Sequence, residues 1–231
     1  MSAYFWPGWR NGVVAVALSS ALLASCGDIS ISFGDDVSKV KGNGKKATVT
    51  RDVAAFTAIE ATGIGSLELL VGEADSLKIS ADENILPLIK AEVKDGVLVL
   101  STTGASESKT DIVFEASAKT IKRLENSGTV SFDARGFNGG DLSVATSGVG
   151  SITLIGRVDS LKVELSGVGR LEADELTADR VTTNLSGVGS ASVRAQKSIN
   201  GSVSGIGSLI WKGTATDVST TVSGIGRVSK G

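Results

Sequence analysis

Few residues of this chain combine a reactive type with a spacing that chemistry could use. Cys26 is the single cysteine and histidine is absent. One cysteine permits neither an intrachain disulfide nor a CxxC pair. Without histidine there is no histidine-based triad and no His-ligated zinc. The acids remain. Asp133 and Glu172 fall on equivalent outward strand positions two repeats apart, roughly 9–10 Å at the ~4.8 Å strand spacing. That is the wide end of the range for an inverting carboxylate pair. Two solvated surface acids fit the same spacing, and Arg170 beside Glu172 reads as a surface ion pair of little energetic weight. Asn138-Gly139-Gly140-Asp141 has the residue types of a calcium-binding repeat, but it occurs once and such sites need repetition; it reads as a turn. Gly44-Lys45 lacks the upstream glycine spacing of a phosphate loop. No catalytic residue, metal site or cofactor is expected.

Cys26 carries a different chemistry. A short leading region ends at Arg10, and residues 13–24 form an apolar, small-residue run that ends in Leu23-Ala24-Ser25-Cys26. The run is too short for a membrane-spanning helix, which needs about 20 residues. Small residues before a cysteine give a signal peptidase access to the bond, and the thiol then takes diacylglycerol. The expected organisation is a lipoprotein signal peptide over 1–25, lipid attachment at Cys26, a flexible tether over 26–50 and a folded body over 51–231. Gly27, not an acid, follows the cysteine. In a Gram-negative cell that favours the outer membrane over inner-membrane retention. The balance of 23 basic and 25 acidic residues is close to neutral, which argues against a nucleic-acid groove.

The elements that must position these groups are repeats. Ser-Gly-(Val/Ile)-Gly-(Ser/Arg) begins at Ser147, Ser166, Ser186, Ser204 and Ser223, at steps of 19, 20, 18 and 19 residues. Ser127-Gly128-Thr129-Val130-Ser131 and Thr62-Gly63-Ile64-Gly65-Ser66 are further copies. Such self-similarity marks a repeat architecture. After each glycine pair, apolar residues alternate: Phe132 and Ala134, Ile152 and Leu154, Leu171 and Ala173, Ala191 and Val193, Leu209 and Trp211. A second set alternates before the next Ser-Gly, as in Leu161, Val163 and Leu165. Period two means strands with one buried face. Each repeat therefore supplies two strands and two corners. At the Gly-(Val/Ile)-Gly corner, glycine is expected to provide a positive φ, with the aliphatic residue between pointing inward. The second corner is looser and carries Gly136, Gly156 or Gly213. Stacked units of this kind form a single right-handed parallel β-helix, a β-solenoid of ~19-residue rungs, all-β in class. A sandwich of hairpins is the alternative.

Residues 67–126 break the period. Leu67 and Leu69, then Leu77 and Ile79, still read as rung strands. Residues 83–90 read as a short helix or turn, with Pro87 favouring the turn. Asp95-Gly96 between alternating apolar residues is a hairpin signal, residues 102–109 form a polar loop, and Ile112-Val113-Phe114-Glu115 resumes a strand. This stretch is expected to be an elaborated N-terminal part that helps to close its end of the solenoid.

Arg51-Asp52-Val53-Ala54-Ala55-Phe56-Thr57-Ala58-Ile59, residues 67–84, Lys94-Asp95-Gly96-Val97-Leu98 and the Ser-Gly series, in that order, resemble the head GIN domain, the head of an auto-transporter adhesin family. The resemblance covers about 51–231. It implies a β-helical, secreted or surface fold with no catalytic residues to carry over. The chain departs from an auto-transporter plan in showing no C-terminal membrane barrel, and it ends five residues after Gly226.

The expected role is a lipid-anchored cell-envelope module for binding, adhesion or structure, without catalysis. A polysaccharide-acting β-helix enzyme and a periplasmic module for a protein partner are the alternatives. The expected partners are the membrane, through the N-terminal lipid, and an envelope protein or glycan, with no nucleic acid. Thr182, Asn184, Asn200, Ser202, Ser219 and Thr221 are the candidate binding residues, because ladder register would set them side by side on the outer face of the second strands. Serving as a soluble surface explains them equally well, and no aromatic stripe offers sugar stacking. At the C-terminal end, Trp211 falls in the inward column of Ala134, Leu154, Ala173 and Val193, with Lys230 next. A lysine stem over an indole face would make an improvised cap; an open end that pairs with another molecule is the alternative.

Overall fold

The computed structural model describes residues 39–104 and 106–231. The expected signal peptide over 1–25, Cys26 and the expected tether up to residue 38 lie outside the described residues. The remainder of the expected tether belongs to the body: Lys46–Arg51 is a strand antiparallel to Ser76–Asp82, and Val40–Lys41 pairs with Ser106–Glu107.

The body is the expected parallel β-helix, with two faces. One face stacks Val113–Ala118, Ile64–Val71 and Thr129–Asn138, then the first halves of Val149–Leu165, Val168–Leu185 and Val188–Val203, then Ile206–Lys212 and Ile225–Lys230. The other stacks Val97–Thr102, Ala58–Ala61, Arg123–Asn126 and Asp141–Thr146, then the second halves of the same three long strands, then Asp217–Val222. Every one of these neighbours is parallel. In the three long strands the looser corner is absorbed into continuous strand, with register shifts beside it.

The levels are not stacked in chain order. Strand Ala58–Ala61 lies between Val97–Thr102 and Arg123–Asn126, and Ile64–Val71 lies between Val113–Ala118 and Thr129–Asn138. The level made by 58–71 is therefore inserted between one made by 97–118 and one made by 123–138. Leu77 and Ile79 do not form a rung. Their strand, Ser76–Asp82, runs antiparallel to Val113–Ala118 and covers that face, while Ile89–Lys94 covers the other as a hairpin with Val97–Thr102. Asp95 (φ 50°) and Gly96 (φ 74°) make the hairpin turn, a pair of left-handed residues as a two-residue turn requires. Leu86–Leu88 with Pro87 is a single 3-10 turn. The N-terminal end is thus closed by antiparallel strands, which stop the parallel ladder from continuing.

Inside, the alternating residues form columns. Leu67, Phe132, Ile152, Leu171, Ala191 and Leu209 share one, and all are buried. Val218 and Val222 hold inward register positions opposite Ile199 and Val203, yet both are 43% exposed, because Asp217–Val222 is the last described strand of its face and nothing lies over it.

The Ser-Gly corners differ from expectation in two ways. Alternation continues through them without a break. Thr146 and Ile152 are buried, while Ser147, Val149 and Ser151 are exposed. The aliphatic residue of each corner therefore points outward, not inward, and the inward positions on either side of it are the glycines. The first glycine of each pair is needed for close approach, not for a left-handed backbone. A Cβ on Gly187 would lie 2.0 Å from the carbonyl oxygen of Gly167 on the level before, and a Cβ on Gly205 would lie 2.0 Å from that of Gly187. The second glycine does take the expected positive φ in three copies, at Gly65 (+143°), Gly150 (+152°) and Gly189 (+154°), and positive φ recurs at the looser corner, where Gly136 has +90° and Gly213 has +108°.

Candidate functional site

The six candidate binding residues lie where ladder register put them. Thr182 pairs with Asn200 and Asn200 with Ser219; Asn184 pairs with Ser202 and Ser202 with Thr221. All except Ser202 are exposed, and Ser202 is half-buried. The two columns continue toward the N-terminal end with a different character. Glu164, Glu125 and Glu60 occupy the Asn184 column, separated only by Ala145 between Glu164 and Glu125. This face thus passes from carboxylates to neutral amides and hydroxyls along the solenoid. Its ion pairs, Lys162–Glu164 at 2.8 Å and Arg123–Glu125 at 3.0 Å, are solvent-exposed and of small energetic weight.

On the other face, Asp133 and Glu172 are two levels apart with Thr153 between them, as the spacing implied. The inserted level brings closer acids. Glu68 pairs directly with Asp133, and Glu115 directly with Glu68. Three carboxylates on consecutive levels thus occupy one column, at strand spacings of about 4.8 Å. They line a shallow depression of about 430 Å³ together with Leu70 and Arg135. Arg135 donates to both oxygens of Asp133, Nε to Oδ1 and Nη2 to Oδ2, each at 2.7 Å. That bidentate contact holds the Asp133 carboxyl below the usual carboxylate range and keeps it ionised and neutralised. Arg170 and Glu172 are 3.7 Å apart on the surface.

A second depression on this face, about 370 Å³, is lined by Glu172, Asp174, Ser192 and Lys212 among others. Asp174 lies where the register shifts between Ala173 and Thr177, so its side chain turns aside from the regular columns. Ser192 and Lys212 donate to its carboxylate, and Arg194 Nε donates to its backbone oxygen at 2.7 Å. Partial burial works against ionisation, but the donors prevail and the carboxyl lies below its ordinary value. Asp133 and Asp174 are therefore fixed anions with their own cations, unsuited to giving up a proton near neutral pH. Among the described residues no group of three or more Cys, Asp or Glu side chains is arranged to hold a metal ion. Asn138-Gly139-Gly140-Asp141 is a turn between strands, in which Gly140 N donates to Asp159 Oδ2 at 2.9 Å.

Glu68 and Glu115 were missed by spacing alone. The phase of Glu68 was legible, since it follows Ser66 by two as Asp133 follows Ser131. Its adjacency to Asp133 depends on the excursion through 72–122 and could not be counted.

The molecule is a two-faced parallel β-helix with an antiparallel N-terminal closure and polar, laddered outer faces. The chain belongs to the family described as "Putative auto-transporter adhesin, head GIN domain", whose model matches residues 55–215. A crystal structure of a putative adhesin from Bacteroides fragilis is similar, with a TM-score of 0.67 and 26% identity over 83% of this chain and 99% of that one. A putative adhesin from Parabacteroides merdae is similar at TM-score 0.52 and 20% identity, over 84% and 99% of the two chains. A putative lipid binding protein from Parabacteroides distasonis gives TM-score 0.50 and 20% identity over the same shares. No curated protein matches the chain.

Proposed function

We propose that this protein is a lipid-anchored module of the cell envelope that works by binding, in an adhesive or structural role, without catalysis. The observation that carries the reading is the continuous outer ladder Thr182–Asn200–Ser219 beside Asn184–Ser202–Thr221, in a family described by an adhesin name. Two adjacent rows of hydroxyls and amides at a fixed repeat present a regular set of donors and acceptors, which suits an extended polar partner such as a glycan or a strand-like segment of an envelope protein. Anchoring rests on Leu23-Ala24-Ser25-Cys26. Asp133 is held ionised by Arg135, which unfits it for the proton-donating carboxyl that a glycosidase needs.

The test is capture from the native envelope with the acylated protein as bait, beside a variant carrying Thr182→Arg and Asn200→Arg. Protease shaving of intact cells fixes the side of the membrane. A partner retained by the parent and lost by the variant supports the reading. Equal capture by both removes this face from the function.

A further inference from the structure

We infer that the Ser-Gly corners form a membrane-contact edge, along which the solenoid lies against the bilayer that anchors it. The inference rests on the anchoring proposed above and adds where the body touches lipid. Ile64, Val149, Val168, Val188, Ile206 and Ile225 occupy one register column, interrupted only by Thr129, and each is 48–77% exposed. The row spans seven levels, roughly 29 Å at about 4.8 Å per level. Folding does not require it. Thr129 occupies the same outward position with the same ladder pairing, so a hydroxyl residue serves there structurally. Scattered exposed aliphatic residues need no explanation, but an aligned row of them does.

Three observations favour a lipid surface as the occupant. First, the chain enters the described structure at one end of the row. Lys39, the first described residue, lines the same depression as Ile64, Gly65 and Thr129. From Cys26 to Lys39 the chain reaches at most about 47 Å, so an anchored body can lay the whole row on the membrane. Second, the corner segments carry no acid. Serines flank the row on both sides, and Arg170 and Arg227 stand in its flanking column. From Val149 onward the outward acids, such as Glu164 and Glu172, are set back on the two faces; Glu107 and Asp111 approach the row only at its Ile64 end. Hydroxyls and guanidinium groups beside an aliphatic row suit the boundary between phosphate headgroups and acyl chains. Third, the row is one residue wide. Six half-exposed side chains fall far short of the ~20–30 residues a side that a stable protein interface uses. A bilayer needs no matching shape. The lipid holds the molecule on the membrane, and the row sets its orientation, with the solenoid axis along the surface.

The experiment uses the processed, acylated protein reconstituted into vesicles of phosphatidylethanolamine and phosphatidylglycerol. Val188→Cys, Val168→Cys and Thr216→Cys, the last at the looser corner, are each labelled with an environment-sensitive dye; the Cys26 thiol, once a thioether, does not label. Dye at 168 and 188 is expected to shift to the blue and to be quenched by bromine on the acyl chains, while dye at 216 does neither. A protein that does not float with the vesicles overturns the anchoring, and this inference with it. A protein that floats with water-like emission at both row positions overturns the edge and leaves the anchoring standing. A blue shift that bromine does not quench, and that grows with protein density, means that a second copy covers the row and overturns the lipid contact.

Discussion

The ammonium of Lys230 sits 4.8 Å from the centroid of the Trp211 ring. The two residues are register partners on neighbouring levels, and Trp211 is 6% exposed. The lysine stem supplies the cover that a further apolar level would otherwise give. The cover is local, since the inward Val218 and Val222 of the same turn are exposed.

In protein lacking the first 25 residues, Trp211 is the only tryptophan. Its emission is expected to be blue-shifted and weakly quenched by iodide. Lys230→Ala should increase the quenching and cost about 0.5–1 kcal/mol, the size of a partly exposed cation–π contact. Emission like free indole in the parent would contradict the cap.

Gly187→Val should destabilise by well over ~1 kcal/mol, because its Cβ would meet the Gly167 carbonyl oxygen and force two levels apart. Ser190→Ala, on the outer surface, should stay within about ±0.5 kcal/mol. Urea midpoints check both, and equal midpoints would contradict the close approach.

Thr183 is buried, and its Oγ1 has no partner. It stands in a column between Val163 and Gly201. Thr183→Val keeps the shape and removes the orphaned hydroxyl, so it should stabilise by about 1 kcal/mol. A lower urea midpoint would show that the hydroxyl is satisfied by a bond or a water.

Asp82 has no solvent exposure, and its Oδ2 accepts from Ser108 Oγ at 2.9 Å, Lys109 N at 2.6 Å and Thr110 N at 3.3 Å. Burial opposes the charge, but the donors outweigh it, and the carboxyl lies below its ordinary value. A depressed folded-state value contributes stability above the unfolded value, near 3.9, and loses it as pH falls through the folded one. Parent stability should therefore decline on that acid limb, and Asp82→Asn should flatten the decline. Parallel pH profiles for the two proteins would remove Asp82 as its source.

How much could be read in advance depended on whether neighbouring levels were also neighbours in sequence. From 127 onward each level follows the last at 18–20 residues, so the Trp211–Lys230 pairing and the Thr182–Asn200–Ser219 row could be counted. The direction of Val149 was misassigned although its parity was present. Counting back by twos from Ile152 passes through Gly150 and Gly148 to Thr146, which leaves Val149 outward. Glycines carry no side chain to mark a face, so the parity is hidden at the corner. The Glu115–Glu68–Asp133 column was beyond counting, because it exists only once 58–71 is inserted between two later segments.

That insertion governs the order in which the molecule can be built. As the chain leaves the ribosome, 58–71 pairs one edge only once 97–118 has emerged and the other only once 123–138 has, so the first hundred residues of the body have to close as one unit. Loops of that length slow the search for partners. Beyond residue 141 each new turn finds its template already in place and can add alone. Growth or loss of whole turns is therefore confined to the C-terminal stretch, and a duplication there lengthens the polar ladders without disturbing the block on which they are templated.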